Sequence, residues 1–381
     1  LDKRQLGYKV TANSLYGQCG ARTSTFYEKD VAASTTATGR MMITYAKRMI
    51  EEVYGNLEYN TECNGLVRTK AEYVYGDTDS VFFTLNLEDP VTGEKIRGQK
   101  ALETTIEIAQ DVAALCTQWL KLPMELTYEK TLMPFILLSK KRYVGMLYET
   151  DPKKGKMKYM GLSLKRRDSC DYLKDTYGGI LNILMKENDL KKAIDFLDKS
   201  LNELIKGNVS MDKLAITKAL RGYYKNPAQI AHAVLADRIA KRDPGNKPKP
   251  GDRMKFVHIV NDATLQGDKI ETPEFILQKR LKIDYTFYIT NQLMNPLQQL
   301  FGLALEQIWT YRGKGLAIKT YKKEMAKLES ENSNLEVFMK KKEKYCSAKI
   351  KALLFDGVLT EIYNEKNRIQ PITTFFQGAS K

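Results

Sequence analysis

Tyr75-Gly76-Asp77-Thr78-Asp79-Ser80 places two carboxylates one residue apart between two runs of strand-forming residues. Acids this close repel one another unless a cation neutralises them, so a tight turn carrying both is costly unless it holds a divalent ion such as Mg²⁺. The flanks, Ala71 to Tyr75 and Val81 to Leu85, are rich in Tyr, Val, Phe and Thr, and Gly76 permits the backbone geometry of a two-strand hairpin. The pattern therefore predicts a hairpin with Asp77 and Asp79 at its tip. By itself the stretch reads equally well as a solvated turn, because Asp, Gly and Ser are ordinary turn residues.

Upstream lies Lys9-Val10-Thr11-Ala12-Asn13-Ser14-Leu15-Tyr16-Gly17. In a helix, Lys9, Asn13 and Tyr16 line one face. An ammonium, an amide and a phenol in one stripe suit a nucleotide: charge for a triphosphate, directional hydrogen bonds, and a flat ring beside a base or sugar. The plainer reading is a partly exposed helix that ends on Gly17 as its cap. Downstream, Lys140-Lys141-Arg142-Tyr143 follows Tyr128-Glu129-Lys130 and the apolar strand Phe135 to Leu138. Three cations on a strand give a phosphate-binding or minor-groove edge, to which Tyr143 adds a hydrogen bond or a stacking face. A charged edge that discourages aggregation would use the same residues.

Together these segments resemble the B and C motifs of family B DNA polymerases, K-x-x-x-N-S-x-Y-G and Y-G-D-T-D-S. Both are complete and in the family's order, and the basic run matches a third family signature. Gly161-Leu162-Ser163-Leu164-Lys165-Arg166-Arg167-Asp168 resembles the palm-to-thumb passage of delta-type replicative polymerases. Ile216 to Leu220, Lys241 to Gly245, and Gly251-Asp252-Arg253 are similar to thumb segments of the same group. The likeness runs from Leu1 to roughly Gly302 and weakens beyond. Arg221-Gly222-Tyr223-Tyr224-Lys225-Asn226-Pro227 looks most like the delta-related polymerases of large DNA viruses.

The resemblance implies two-metal phosphoryl transfer from deoxynucleoside triphosphates to a primer 3′-hydroxyl on primer-template DNA. It makes Asp79 a direct Mg²⁺ ligand, has Asp77 orient the site or hold the metals less directly, and adds Glu129 as an outer contributor. Lys9 would neutralise the triphosphate, Asn13 support the nucleotide pocket, and Tyr16 check the nascent pair from its minor-groove side. Lys141 would touch the primer terminus, with Lys140, Arg142, Tyr143, Arg166, Arg167, Lys218 and Arg253 as further DNA contacts. The family's A motif, D-x-x-S-L-Y-P-S, supplies another metal-binding aspartate and is not found, nor is an exonuclease region. The expectation is the carboxy-terminal portion of a larger polymerase, or one half of a split enzyme, inactive without the missing N-terminal portion. A reading from another class is a DNA-binding and clamp-docking subunit without catalysis; the intact acids and Lys9 argue against it.

Composition agrees with a polyanionic partner: 61 Lys and Arg against 46 Asp and Glu give a net charge of +15 and a pI near 9.3. No apolar run is long enough to span a membrane and no cleavable signal opens the sequence; the expected site is intracellular, the nucleus or a cytoplasmic viral replication site, in keeping with the cysteines. Cys19, Cys63, Cys116, Cys170 and Cys346 are scattered singly and read as reduced thiols. They lack the paired motifs of cellular delta-type catalytic chains. His232 and His258 have no second ligand at helical spacing and read as packing or surface residues.

The expected fold class is α+β, a partial polymerase right hand with a fingers helix, a mixed α/β palm and a mainly helical thumb. Residues 1–34 would be the end of the fingers, with one helix to about Gly20, and 35–164 the palm. The palm would hold a helix from Thr35 to Tyr54, the acidic hairpin, a helix from about Leu102 to Leu120, and a second hairpin turning at Asp151 to Gly155. Residues 165–315 would be the thumb, patterned on Leu181, Leu184, Ala193, Phe196 and Leu197. In 316–381, a charged helical stretch breaks at Glu331 to Asn334, and the tail Arg368 to Phe376 resembles a clamp-binding box. Its Ile372, Phe375 and Phe376 have the anchor spacing for a sliding clamp, although Ile369 stands where the box has glutamine.

Overall fold

The computed structural model describes residues 2–166, 168–332 and 334–369. The chain is α+β. It divides into two compact units: residues up to Ile136 together with Val144–Lys158, and Leu137–Tyr143 together with the residues from Tyr159 on.

The first unit begins with α1 (Asp2–Gly20) and α2 (Lys29–Tyr54). Two antiparallel hairpins follow, β1 (Leu57–Thr61) with β2 (Gly65–Thr69), and β3 (Glu72–Asp77) with β4 (Ser80–Thr84). After α3 (Gly98–Gln118) comes a sheet of order β5-β6-β7, from β5 (Thr131–Ser139), β6 (Arg142–Tyr148) and β7 (Lys156–Met160). The core gathers Ile50 and Tyr54 of α2, Val67 of β2, Leu85 and Leu87, and Ile108 and Val112 of α3. These recur at helical spacing in α2 and α3, which buries one stripe of each. The end of α2 is fastened where β3 starts, because the Tyr54 carbonyl accepts from the Thr69 hydroxyl at 2.7 Å and the Ala71 amide at 2.9 Å. The helix expected from Thr35 thus starts at Lys29, and α1 runs past Gly17 to Gly20, so Gly17 is no cap.

The second unit is built on α4 (Asp171–Lys186) and α5 (Leu190–Ile205), which pack on one another and bury Leu181, Ala193 and Leu197 among others. Asp189 caps α5, its carboxylate accepting from the Lys192 amide at 2.9 Å. After the short α6 (Met211–Leu214) come β8 (Ile216–Ala219), α7 (Ala231–Arg242), β9 (Arg253–His258) and β10 (Ile270–Glu271). The three strands form one sheet of order β10-β9-β8, so this unit is not as purely helical as its amphipathic pattern suggests. Its edge is held by buried Glu271, which takes a bidentate ion pair from Arg242 while Arg242 lies over the Phe275 ring. The remaining elements are α8 (Pro273–Lys279), α9 (Tyr285–Phe287), a π-helical turn (Tyr288–Met294), α10 (Asn295–Gly302) and α11 (Leu305–Tyr311). Then follow α12 (Gly315–Glu331), α13 (Leu335–Leu354) and α14 (Asp356–Lys366). The break between α12 and α13 falls where the polar run predicts it, and Asn334 caps the new helix through the Glu336 and Val337 amides.

Candidate functional site

The two acids sit at the tip of the β3–β4 hairpin, where Asp77 pairs with Ser80 and leaves Thr78 and Asp79 as the loop. The Asp79 amide donates to the Asp77 carbonyl at 2.7 Å across Thr78, whose φ is +59°. A β-branched residue in the left-handed region is an outlier that costs on the order of 1–3 kcal/mol and persists only where its surroundings enforce it. The turn is further closed by the Ser80 hydroxyl on the Asp77 carbonyl, and the Thr78 hydroxyl donates to the Asp77 carboxylate, both at 3.2 Å. Asp77 is half-buried and Asp79 exposed.

Gly76 serves differently from expectation. The positive φ falls on Thr78; Gly76 is required for close approach, since a Cβ there would lie 2.5 Å from the Tyr73 hydroxyl and 3.2 Å from the Ser80 carbonyl. Behind the turn, the Phe82 ring stacks on Phe135 of β5 with centroids 5.9 Å apart, and Tyr75 tilts against Phe82 at 5.6 Å. Helix α2 supports the same hairpin: Glu51 accepts from the Tyr73 amide at 3.1 Å and Lys47 lies over the Tyr73 ring.

Lys9, Asn13 and Tyr16 are exposed on α1. The Tyr16 hydroxyl shares a 3.1 Å hydrogen bond with the Thr36 hydroxyl of α2. Gly39, one turn further along α2, faces the acidic turn; a Cβ on it would lie 3.9 Å from the Thr78 carbonyl. Residues three apart share a helix face. The phenol of the upstream stripe and the acidic turn therefore meet α2 within one helical turn of each other. Sequence reasoning missed Thr36, Gly39 and Thr78; a glycine inside an otherwise helical run was the available signal for close backbone approach at Gly39.

For Mg²⁺, the donor set of carboxylate and backbone oxygens is chemically apt, and such an ion commonly takes only one or two carboxylates and completes its shell with water and substrate phosphates. Among the described residues no group of three or more acidic, His or Cys side chains gathers into a metal cluster. Glu129 accordingly does not join Asp77 and Asp79: its carboxylate is 72% exposed and pairs with Lys130 at 2.8 Å.

The basic run also departs from expectation. Lys140 and Lys141 form the turn between β5 and β6 rather than a strand, with Lys141 at a φ of +64°, and Tyr143 is buried, so it offers no stacking face. Gly161 packs against this turn so tightly that a Cβ would collide with the Lys141 carbonyl. Arg142 donates to Gln299 of α10 at 2.7 Å. Arg142, Arg166 and Lys218 line one cavity of about 330 Å³ together with Asn291, Asn295 and Gln299. Arg166 chelates Asp168 at 2.8 and 2.9 Å, which holds that carboxyl below its usual range against the opposing effect of burial; Lys218 adds to the lowering. Arg253 pairs with Ala219 in the β8–β9 register, beside Lys218. Arg167 and the clamp-box residues Ile372, Phe375 and Phe376 lie outside the described residues.

The paired acids on a strand-turn-strand and the phenol of α1 thus meet one helix, and the model of DNA polymerase family B matches residues 1–303. The chain belongs to that family. It is 44% identical over 381 residues to the DNA polymerase of Pyramimonas orientalis virus, covering 99% of this chain and 30% of that protein. It is 38% identical over 310 residues to the DNA polymerase of Acanthamoeba polyphaga mimivirus, covering 80% and 18%. With the DNA polymerase delta catalytic subunit of Candida albicans it shares 33% over 303 residues, covering 79% and 27%. The chain thus spans less than a third of the length of these relatives.

Proposed function

We propose that this chain is the part of a template-directed DNA polymerase that selects the incoming nucleotide and carries half of its metal-binding acids. In this reading α1 and the start of α2 belong to the fingers, the hairpins, α3 and the sheet β5-β6-β7 to the palm, α4 to α11 to the thumb, and α12 to α14 with the tail to a charged extension. The reaction is attack of a primer 3′-hydroxyl on the α-phosphate of a deoxynucleoside triphosphate, with pyrophosphate leaving. The observation that carries it is the convergence of Tyr16 and the Asp77-Thr78-Asp79 turn on neighbouring positions of α2.

Asp79, exposed at the tip, is the direct ligand for Mg²⁺, while Asp77, held by the Thr78 hydroxyl, orients the turn. Mg²⁺, when bound, lowers the pKa of the attacking hydroxyl and neutralises triphosphate charge. Lys9 faces the triphosphate, Asn13 fixes its orientation, and Tyr16, positioned by Thr36, presents a ring edge to the new base pair. The strain at Thr78 fits this role, since left-handed backbone at non-glycine residues concentrates where geometry is functional. Arg142, Arg166, Lys218 and Arg253 hold the DNA backbone, Lys140 and Lys141 approach the primer end, and the tail beyond Ile369 docks a sliding clamp.

The test is a chimera in which this chain replaces the matching stretch of the Pyramimonas orientalis virus polymerase, assayed by primer extension in Mg²⁺. Asp79→Ala is expected to lower extension by at least about 10³-fold, on the order of 4 kcal/mol of transition-state stabilisation, with DNA affinity retained. Extension that survives Asp79→Ala overturns the assignment.

A further inference from the structure

The loop Leu220–Asn226, between β8 and α7, carries features that the polymerase site does not use. Tyr223 is 81% exposed, with Arg221 and Lys225 on either side of it in sequence, both also exposed. The loop is not a loose excursion. The Tyr224 hydroxyl accepts from the Arg221 amide at 2.7 Å and shares a 3.0 Å hydrogen bond with His232 Nε2, and that ring makes a backbone hydrogen bond to Ala219. Two backbone bonds, Leu220 N to Asp252 O and Gly251 N to Leu220 O, each 2.8 Å, staple the loop to the next connection, where Gly222 packs on Pro250. Its neighbours are cationic: Lys218 and Arg253 lie on the adjoining strand ends, and Lys218 and Arg221 add to burial in lowering the His232 pKa. The nearby Asp252 carboxylate is engaged by the Lys249 amide at 2.7 Å.

A large aromatic ring held in water costs free energy that a packed position would avoid, and here the backbone that presents it is already ordered. Binding at such a loop therefore spends little on immobilisation. An exposed ring between two cations matches an unpaired nucleotide, whose open base face stacks while its flanking phosphates are neutralised; a duplex shows base faces only at its ends. We propose that Tyr223 is a stacking platform for single-stranded DNA, with Arg221 and Lys225 contacting the phosphates on either side. The proposal rests on the reading of the chain as part of a DNA polymerase and adds to it a second grip, specific for unpaired strand.

The test needs no catalysis, so it fails or succeeds independently of primer extension. The chain is titrated into a fluorescein-labelled oligothymidine of about 16 nucleotides, within the usual span of single-strand sites, and into a duplex of equal length. Tyr223→Ala is expected to weaken single-strand binding by about 5- to 150-fold and to leave duplex binding and thermal unfolding unchanged. Tyr223→Trp should preserve affinity, and its indole emission should be quenched on oligothymidine addition. Arg221→Gln with Lys225→Gln should flatten the salt dependence of single-strand binding by about 1.4 in the log–log slope. Unchanged single-strand affinity of Tyr223→Ala, an equal loss on duplex, or a Tyr223→Trp emission indifferent to the oligonucleotide overturns the proposal.

Discussion

Helices α1 and α4 are of similar length, 19 and 16 residues, and are built on opposite terms. α4 buries Tyr172, Leu173, Thr176, Tyr177, Ile180, Leu181 and Met185. Of the described α1 side chains only Cys19 is even half-buried, and Leu6, Tyr8, Val10 and Leu15 face solvent. An isolated helix of this length is marginal in water, so α1 depends on its few ties to α2, such as Tyr16 to Thr36. α4 is specified by the volume and spacing of its apolar stripe, whereas α1 displays side-chain chemistry. Substitutions on the buried stripe of α4 therefore act on stability, whereas those on the exposed face of α1 leave it nearly unchanged.

The sharpest way to break this contrast is a core truncation. Leu181→Ala is expected to destabilise the second unit by about 2–5 kcal/mol, the transfer term plus the cavity it leaves. Denaturant unfolding followed by the intrinsic fluorescence of Trp309, which lies in that unit, measures it. Lys9→Ala or Asn13→Ala on α1 should fall within roughly 0.5 kcal/mol of the parent, as exposed substitutions do. If either α1 variant approached the Leu181→Ala loss, the division would fail.

Acid gives a graded version of the same comparison, because both histidines lie in the second unit. Burial pushes the His258 pKa down to about 3, with Lys218 and Lys269 adding to the shift. Its ring stacks on Phe287 with centroids 3.3 Å apart. In the unfolded chain this histidine takes a proton below about pH 6.5, while the folded ring stays neutral until near pH 3. Between those limits the unfolded state binds more protons, so stability falls as pH falls through that window. Hydrogen exchange should therefore show protection lost first from α4, α5 and β9 on acidification from about pH 6.5 to 5, with α2 and α3 unaffected. His258→Gln should flatten that response; an unchanged slope would show that other groups set it.

How much could be read beforehand follows the same division. The acids at a hairpin tip, the stripe of Lys9, Asn13 and Tyr16, and the break before Leu335 are local facts, legible because short-range sequence determines them. The burial of Tyr143 is not legible, because period alone does not say that a strand position next to a charged turn is buried. The β8-β9-β10 sheet is not legible in sequence because its strands are short and its register, Ala219 with Arg253, joins residues far apart in the chain. Thr78 gave no signal at all, since its left-handed φ is imposed by the surrounding turn rather than favoured by a threonine. In the same way Gly161 looked like part of a motif, while its physical task is to let the Lys141 carbonyl approach.

The smallest effect is the most discriminating, because it separates helix stability from site geometry at one residue. Gly39 lies inside α2, where glycine costs roughly 0.5–1 kcal/mol relative to alanine. A Cβ there would be 3.9 Å from the Thr78 carbonyl, an ordinary contact. Gly39→Ala should therefore raise stability by that amount and leave primer extension by the chimera unchanged. Gly39→Leu places three further carbons on the face of α2 that meets the acidic turn. Because the turn already carries Thr78 in a strained conformation, it is the element with an alternative to relax into, and extension should fall about 10-fold or more even though the helix itself gains propensity. Should Gly39→Leu extend primers as well as Gly39→Ala, the helix does not brace the acids, and Tyr16 and Asp79 would share α2 only as neighbours.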